Sequence, residues 1–135
     1  LGLRFGIHIM RGIPRKAVAL SYPISGTDAT ARDVGVIEEG CEWNPDMVGL
    51  DHSHPAAAAY YRSIAELYSS WGVDFIKADD MLWPYHTQDI EALRSALDAT
   101  GRDIELSLSP GRDLSLAHVE HLCAHATMWR VSDDL

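Results

Sequence analysis

Two short motifs place a pair of acids shortly after a cation. KADD (77–80) closes one apolar stretch of the sequence, and RVSDD (130–134) closes another. If both stretches end at the same edge of one sheet, a carboxylate from each can converge on a shared point. Two converging carboxylates, about 5–5.5 Å apart, can act as nucleophile and acid/base in retaining glycoside hydrolysis. The motifs therefore favour chemistry that uses a carboxylate pair.

The cations sharpen this interpretation, but the position of the acids also permits a simpler one. Lys77 and Arg130 would keep a nearby nucleophile ionised at neutral pH, while the other acid must hold a proton. Asp is also common where a strand leads into a helix, because its side chain caps the backbone N–H groups of the first turn. Spacing alone leaves the catalytic and the capping interpretation open.

The acids follow strands in a predicted strand-helix repeat. Short apolar runs predict buried strands at 3–9, 73–78, 104–109 and 128–132. Apolar residues at helical spacing predict helices at 55–71, 87–100 and 115–126. This order is typical of parallel βαβ units. Residues 10–54 are then a long loop, and loops of that length inside a compact domain are usually functional.

Polar residues gather where the predicted strands end, namely at His8, Arg11, Lys77, Asp79, Asp80, Ser107, Ser109, Arg130, Asp133 and Asp134. A (β/α)8 barrel keeps its active site at the C-terminal ends of its strands. No Gly-rich phosphate loop follows any predicted strand, which disfavours a nucleotide-binding open sheet. We therefore expect an α/β fold of the barrel type, with the long loop over the barrel mouth.

Charge and composition limit the partners. The 135 residues include 11 Lys+Arg and 20 Asp+Glu, a formal charge of −9. This balance argues against nucleic acid and against anionic membranes, because nothing offsets phosphate charge. No apolar run approaches the roughly 18 residues of a membrane span, so we expect no membrane insertion. Small or neutral ligands fit better. The chain starts without Met, and residues 1–10 already have the pattern of a structural element, so we expect a segment of a longer protein.

Taken together, four stretches resemble glycoside hydrolase family 27, the α-galactosidase and α-N-acetylgalactosaminidase family, and especially its bacterial members. They are GLRFGIHIMRGIPR (2–15), LYSSWGVDFIKADD (67–80), LSLSPG (106–111) and MWRVSDD (128–134). The family's catalytic domain is a (β/α)8 barrel followed by a β-sandwich, and the resemblance implies strands 3 to 6 of that barrel. Residues 1–135 would then form part of the catalytic barrel, with the rest of the barrel and any C-terminal β-sandwich outside this sequence.

The resemblance also implies roles for the acids and cations. Asp79 matches the family's nucleophile, which ends strand 4, and Asp134 matches its acid/base, four residues after the Arg of a Trp-Arg motif. Lys77 and Arg130 match residues that bind sugar hydroxyls. The implied activity is a retaining exo-glycosidase that releases terminal α-linked galactose or N-acetylgalactosamine from glycans or oligosaccharides. No cofactor is needed.

Three residues depart from the family's eukaryotic pattern. Ser109 stands where α-galactosidases have a Glu that binds the sugar 2-hydroxyl. The N-acetylgalactosaminidases have Ser at this position, so Ser109 favours N-acetylgalactosamine as the substrate sugar. Cys41 aligns with a disulfide cysteine whose partner is replaced near Met81, and we expect a free thiol beside the pocket. His8 stands where Tyr is frequent in the family. It either contacts a sugar hydroxyl or forms its hydrogen bonds within the barrel.

Three further residues have open roles. Trp43 lies in a loop, where its ring could stack on a sugar or anchor the loop against the barrel rim. Trp83 has the same two interpretations, whereas Trp71 and Trp129 are expected in the core. Asp80 could bind a sugar hydroxyl or cap a helix.

Two rival functions remain from the residues themselves. A metal-dependent hydrolase is suggested by an HxH motif, His52 and His54, and by three histidines on one face of the last helix, His118, His121 and His125. The motif precedes a helix rather than ending a strand, and the helical histidines would face outward with no carboxylate among them. The second rival is a sugar-binding barrel that has lost catalysis. Oligomeric state and secretion stay open.

Overall fold

A computed structural model of the chain describes residues 2–112 and 115–134. In chain order the elements are β1 (Gly6–Met10), β2 (Ile13–Pro14), α1 (Arg15–Ala19), α2 (Ala31–Val34), β3 (Gly35–Val36), β4 (Met47–Leu50), α3 (Pro55–Ser70), β5 (Phe75–Asp79), α4 (Thr87–Ala99), β6 (Glu105–Leu108), a 3₁₀ turn (Leu116–His118), α5 (Val119–His125) and β7 (Met128–Trp129).

The main sheet is parallel and has the order β1-β5-β6-β7. The predicted strands therefore exist in the predicted order, although the first begins at Gly6 and the last ends at Trp129. Residues alternate between the faces of β5, as they must in a strand. Ile76 and Ala78 are fully buried in the core, whereas Lys77 and Asp79 are partly exposed on the other face.

Helices α3 and α4 pack against each other and cover the buried face of the sheet. Pro55 begins α3, where no N–H is required, and Gly72 follows its end with φ +76°. The predicted inward residues of α4, Ile90, Leu93 and Leu97, are fully buried. The prediction of a core Trp71 is wrong, because this side chain is 59% exposed beyond the end of α3.

Residues 10–54 are not the unstructured loop that the sequence predicted. They contain β2, β4 and β3, which form a small antiparallel sheet in that order, together with α1 and α2. Strands of two to four residues are too short to show a periodic pattern. Gly12 has φ +81°, and a Cβ there would collide with the Val48 carbonyl, so glycine is required at the start of this subdomain.

The predicted third helix divides into the 3₁₀ turn and α5. Successive residues rotate further in a 3₁₀ turn than in an α-helix, so an apolar stripe does not continue from one to the other. Leu122 is buried as predicted, but Leu116 is 88% exposed and Val119 is also exposed. No helix in the described ranges is both long and apolar enough to cross a membrane.

Candidate active site

Asp79 ends β5 with one carboxylate oxygen held by two donors. Its Oδ1 accepts hydrogen bonds from Ser109 Oγ at 2.7 Å and from the Asp80 N–H at 2.9 Å. Its Oδ2 lies 3.7 Å from His8 Nε2. Hydrogen bonds to a carboxylate are stronger than those between neutral groups, so the two donors fix the orientation of the side chain.

The parallel register brings these residues to one edge. His8 of β1 is paired with Lys77 of β5, which is paired in turn with Ser107 of β6. Two residues further along the chain, on the same face, Lys77 is followed by Asp79 at the end of β5, and Ser107 is followed by Ser109 just past the end of β6. Because the strands are parallel, residues at the C-terminal end of one strand lie beside those at the C-terminal ends of the neighbouring strands.

Asp79 of the first motif and both acids of the second line one cleft of about 190 Å³. Its described lining is Trp43, Lys77, Asp79, Pro110, Arg112, Arg130, Asp133 and Asp134. Arg130 Nη1 lies 2.7 Å from Asp134 Oδ1, and the Asp134 side chain is exposed. Asp79 and Asp134, from two different motifs, therefore border the same cleft.

The tryptophans in the loops differ in surroundings. Trp43 is 46% exposed and lines the cleft, so its ring is accessible to a ligand. Trp83 is partly buried, and the Arg112 guanidinium lies 5.5 Å from the centre of its ring, within range of a cation–π contact.

Ser109 has a different position from the one that its alignment suggested. It is fully buried, and its hydroxyl is directed at Asp79 rather than into the cleft. The preference for N-acetylgalactosamine rested on the room that a small side chain leaves for a 2-acetamido group, and it stays a prediction. The geometry instead makes Ser109 a support for the Asp79 carboxylate.

Asp80 also differs from both roles that the sequence left open. Its side chain is 3% exposed, and Oδ2 accepts a hydrogen bond from Arg11 Nε at 2.9 Å. Its backbone has φ +62°, a left-handed conformation that is uncommon outside glycine. Asp80 therefore neither lines the cleft nor caps a helix, because the backbone turns its carboxylate into the protein.

Cys41 belongs to the same buried group. It is a free thiol, as predicted, and it donates a hydrogen bond to Asp80. Burial raises the pKa of Cys41, with the nearby Asp80 charge adding to the effect. Burial likewise raises the pKa of Asp80, although Arg11 opposes it. Cys41 is not among the described residues that line the cleft.

A buried polar network, which no motif in the sequence indicated, continues from Arg11 toward α3 and α4. Arg11 Nη1 lies 4.0 Å from Asp89 Oδ2, and Tyr61 donates a hydrogen bond to Asp89 Oδ1 at 2.6 Å. His52 Nε2 lies 3.2 Å from the same oxygen. Burial alone would raise the pKa of Asp89, but His52, Tyr61 and Arg11 together lower it.

Beside this network lies a wider cleft of about 500 Å³, whose lining includes His52, His86 and Asp89. Neither Asp79 nor Asp134 borders it. Burial, with the charge of Arg11 adding to it, lowers the pKa of His86 to about 4, so this imidazole is neutral near neutral pH. The carboxylate pair and the larger cleft are thus on different parts of the surface.

The HxH motif has structural roles. His54 Nδ1 accepts a hydrogen bond from the Ala56 N–H at 3.1 Å and caps α3, while His52 contacts Asp89. The helical histidines, however, do have a carboxylate beside them. Glu91 of α4 lies with His121 and His125, and their ligand atoms are all within 4.8 Å of one another. The expectation that no carboxylate accompanies them is wrong, because α4 packs beside α5.

Comparisons with known proteins give matches among solved structures. No family model and no curated protein matches the sequence. A GH27 β-L-arabinopyranosidase from Geobacillus stearothermophilus is 50% identical with a TM-score of 0.94, over 99% of this chain and 32% of its own. A variant of that enzyme in complex with arabinose is 49% identical, with the same TM-score of 0.94 and the same coverage of 99% and 32%.

A third structure is a candidate α-N-acetylgalactosaminidase from Bacillus halodurans C-125. It is 40% identical with a TM-score of 0.79, again over 99% of this chain and 32% of its own. The chain thus spans about a third of the length of the proteins that it matches.

Proposed function

The chain belongs to glycoside hydrolase family 27, and from that premise we propose that the whole protein is a retaining exo-glycosidase. The chain is a segment of a (β/α)8 barrel, as the sequence predicted. The substrates that we propose are glycans or oligosaccharides that end in α-linked galactose, in α-linked N-acetylgalactosamine or in a sugar of the same ring configuration.

One observation carries the proposal. Asp79 and Asp134 come from two different strand ends, yet both line a single cleft together with Lys77 and Arg130. Two carboxyl groups on one cleft supply the nucleophile and the acid/base of the retaining mechanism. The cations can donate hydrogen bonds to sugar hydroxyls, and Trp43 offers an exposed ring to the apolar face of the sugar.

The mechanism follows from the way in which Asp79 is held. Ser109 and the Asp80 N–H occupy Oδ1, so Oδ2 is the oxygen that attacks the anomeric carbon. Asp134 gives a proton to the departing glycosidic oxygen, and a glycosyl ester forms on Asp79. Asp134 then takes a proton from water, the water attacks the anomeric carbon, and the ester bond breaks. Two inversions return the sugar with its original configuration.

The neighbours suggest which sugars to test first. β-L-Arabinopyranose has the ring configuration of α-D-galactopyranose without the hydroxymethyl group. The two structures with the higher TM-score, 0.94, are of a β-L-arabinopyranosidase. Because of this likeness, and because Ser109 is buried against Asp79 rather than exposed in the cleft, we test α-galactosides and β-L-arabinopyranosides ahead of α-N-acetylgalactosaminides.

The test uses the intact protein and three p-nitrophenyl glycosides: α-galactoside, α-N-acetylgalactosaminide and β-L-arabinopyranoside. We expect turnover of at least one, with NMR showing that the first product keeps the substrate's anomeric configuration. Asp79→Ala and Asp134→Ala should each lower kcat by about 10²–10⁴. Asp133→Asn, an adjacent acid on the same cleft, is the matched control and should lose far less.

Two outcomes would contradict the proposal. If Asp79→Ala or Asp134→Ala leaves turnover intact, the roles are wrongly assigned. If the intact protein cleaves none of the three substrates but binds one of the free sugars in calorimetry, the sugar-binding alternative that the sequence left open is favoured instead.

A further inference from the structure

We propose that Glu91, His121 and His125 form a binding site for a divalent transition metal between α4 and α5. Each residue offers one ligand atom, and these atoms all lie within 4.8 Å of one another. Zn²⁺ holds imidazole nitrogens and carboxylate oxygens at about 2.0–2.2 Å. Glu91 is exposed and the two histidines are partly exposed, so small side-chain rotations can close the three ligands around one ion.

The hydrogen bonds of His125 already leave one of its ring nitrogens available to a metal. Its Nδ1 lies 2.8 Å from the His121 carbonyl oxygen. A carbonyl oxygen only accepts, so Nδ1 carries the proton and Nε2 keeps its lone pair. Metal-binding histidines usually donate their other N–H to such a group, which fixes the ring orientation and the tautomer.

His121 has a comparable arrangement. Its Nδ1 lies 2.7 Å from the Tyr85 hydroxyl, and its Nε2 lies 3.2 Å from Glu91 Oε1. A tyrosine hydroxyl can accept as well as donate, so Nδ1 can hold the proton and free Nε2 for a metal. The ion would then replace the proton that lies between His121 Nε2 and the Glu91 carboxylate in the metal-free protein.

The surroundings of the three ligands indicate a structural role. The site lies away from the cleft of Asp79, and none of its residues lines that cleft. Helix α5 has only seven residues, and Leu122 is its one fully buried side chain within the described structure. A short helix with so little buried apolar surface is only weakly stabilised by packing. A metal ion bound by residues of both α4 and α5 would link the two helices and stabilise α5 further.

The ligand set selects the class of metal. Two imidazoles and one carboxylate, with water in the fourth position, suit Zn²⁺ and Co²⁺. Ca²⁺ and Mg²⁺ prefer shells made of oxygen atoms. Because none of the three ligands lines the cleft of Asp79, the metal site adds no step to the proposed sugar chemistry.

The experiment uses the intact protein without a polyhistidine tag, stripped of metal by a chelator. Zn²⁺ is titrated by calorimetry, and Co²⁺ is followed by its visible absorption. We expect one saturable site for each chain and a higher melting temperature with Zn²⁺. Glu91→Gln, an exposed substitution that leaves folding unaffected, should weaken binding at least about tenfold, and His121→Ala with His125→Ala should abolish it.

His118→Ala is the matched control, because this histidine precedes α5 and stacks on Tyr85 at 3.6 Å without belonging to the ligand set. It should keep both the stoichiometry and the Zn²⁺-dependent rise in melting temperature. The proposal is overturned if the wild-type protein shows no saturable binding, or if the double histidine variant binds Zn²⁺ as tightly as wild type.

Discussion

The Asp79 carboxylate is oriented by one side-chain donor and one backbone donor. Ser109 reaches it from beyond β6, and the Asp80 N–H reaches it from the next peptide. If the carboxylate rotated, its Oδ1 would lose both hydrogen bonds. A nucleophile held within a narrow range of angles needs less reorganisation to reach the reacting geometry. Ser109 is therefore expected to support the rate of the reaction without touching the sugar.

Ser109→Ala tests this role. The substitution removes one hydrogen bond to an ionised group, which is worth about 1.5–3 kcal/mol. We expect kcat to fall by roughly 10- to 100-fold with little change in KM, measured by steady-state kinetics on the preferred p-nitrophenyl glycoside. Ser107→Ala, two residues earlier on β6, is the control and should stay near wild type. A change in KM confined to the N-acetylgalactosaminide would instead place Ser109 against the sugar.

At the level of elements, the ends of β1 and β5 are joined by a buried ion pair. Arg11 follows β1 and Asp80 follows β5, and each side chain is 3% exposed. The Arg11 N–H also donates to the Asp79 carbonyl oxygen at 3.0 Å, and its Nη2 donates to the Glu39 carbonyl oxygen at 3.0 Å. Arg11 thus joins two strand ends and the subdomain that contains Glu39.

Arg11→Ala should be strongly destabilising. It leaves the Asp80 carboxylate buried without its partner, and the loss of one member of a buried pair typically destabilises by about 3–5 kcal/mol. We expect a clear fall in the melting temperature of the intact protein, measured by calorimetry. Arg4→Ala is the control, because Arg4 is 71% exposed and its contact with Glu105 is 3.8 Å long. Equal melting temperatures for the two variants would contradict this role of Arg11.

At the scale of the whole molecule, the described sheet ends at β1 on one side and at β7 on the other. Leu3, Phe5 and Met128 lie near these edges and are 85%, 55% and 51% exposed. Unpaired strand edges beside apolar side chains promote association with other chains. We expect these 135 residues to self-associate when expressed alone, which sedimentation velocity would detect. A monomer that melts cooperatively would contradict the expectation.

The stability of the whole protein should also depend on the neutral His86. Its pKa is about 4 in the folded protein against 6.5 for the free side chain, so the unfolded chain binds the extra proton between these values. The contribution of His86 to the free energy of unfolding is therefore fully present above about pH 6.5 and is lost as the pH falls toward 4. Each unit of pKa difference corresponds to about 1.4 kcal/mol.

His86→Asn removes this titration. We expect a smaller drop in melting temperature between pH 7 and pH 5 for the variant than for wild type, measured on the intact protein in buffers of equal ionic strength. An identical pH dependence for the two proteins would show that His86 takes up its proton equally in the folded and unfolded states.

The sequence predicted those features that depend on neighbouring residues. The apolar runs at β5 and β6 mark buried strands, and parallel pairing then places Asp79 and Asp134 at one edge. It could not predict features set by single backbone angles or by contacts between distant residues. The direction of Asp80 depends on its φ of +62°. Glu91 and His121 are 30 residues apart in sequence and meet only because α4 and α5 are neighbours.

The small antiparallel sheet was missed for a different physical reason. Its strands are so short that no apolar alternation can develop, and its Gly and Pro residues are typical of loops as well. The buried network was missed because Asp89 has the position of an ordinary acid in the first turn of a helix. Nothing in the sequence around it distinguishes a buried acid from a solvated one.

Asp79 and Asp80 are consecutive, but one carboxylate serves the cleft and the other the buried ion pair. For the proposed glycosidase, this arrangement affects how new substrates could be acquired, whether by natural selection or in a laboratory library. Changes at Trp43, which lines the cleft, can alter which sugar fits while the peptide that follows Asp79 stays in place. A change at Arg11 or Cys41 would disturb that peptide through Asp80, and in a screen for activity it would be mistaken for damage to the proposed catalytic pair.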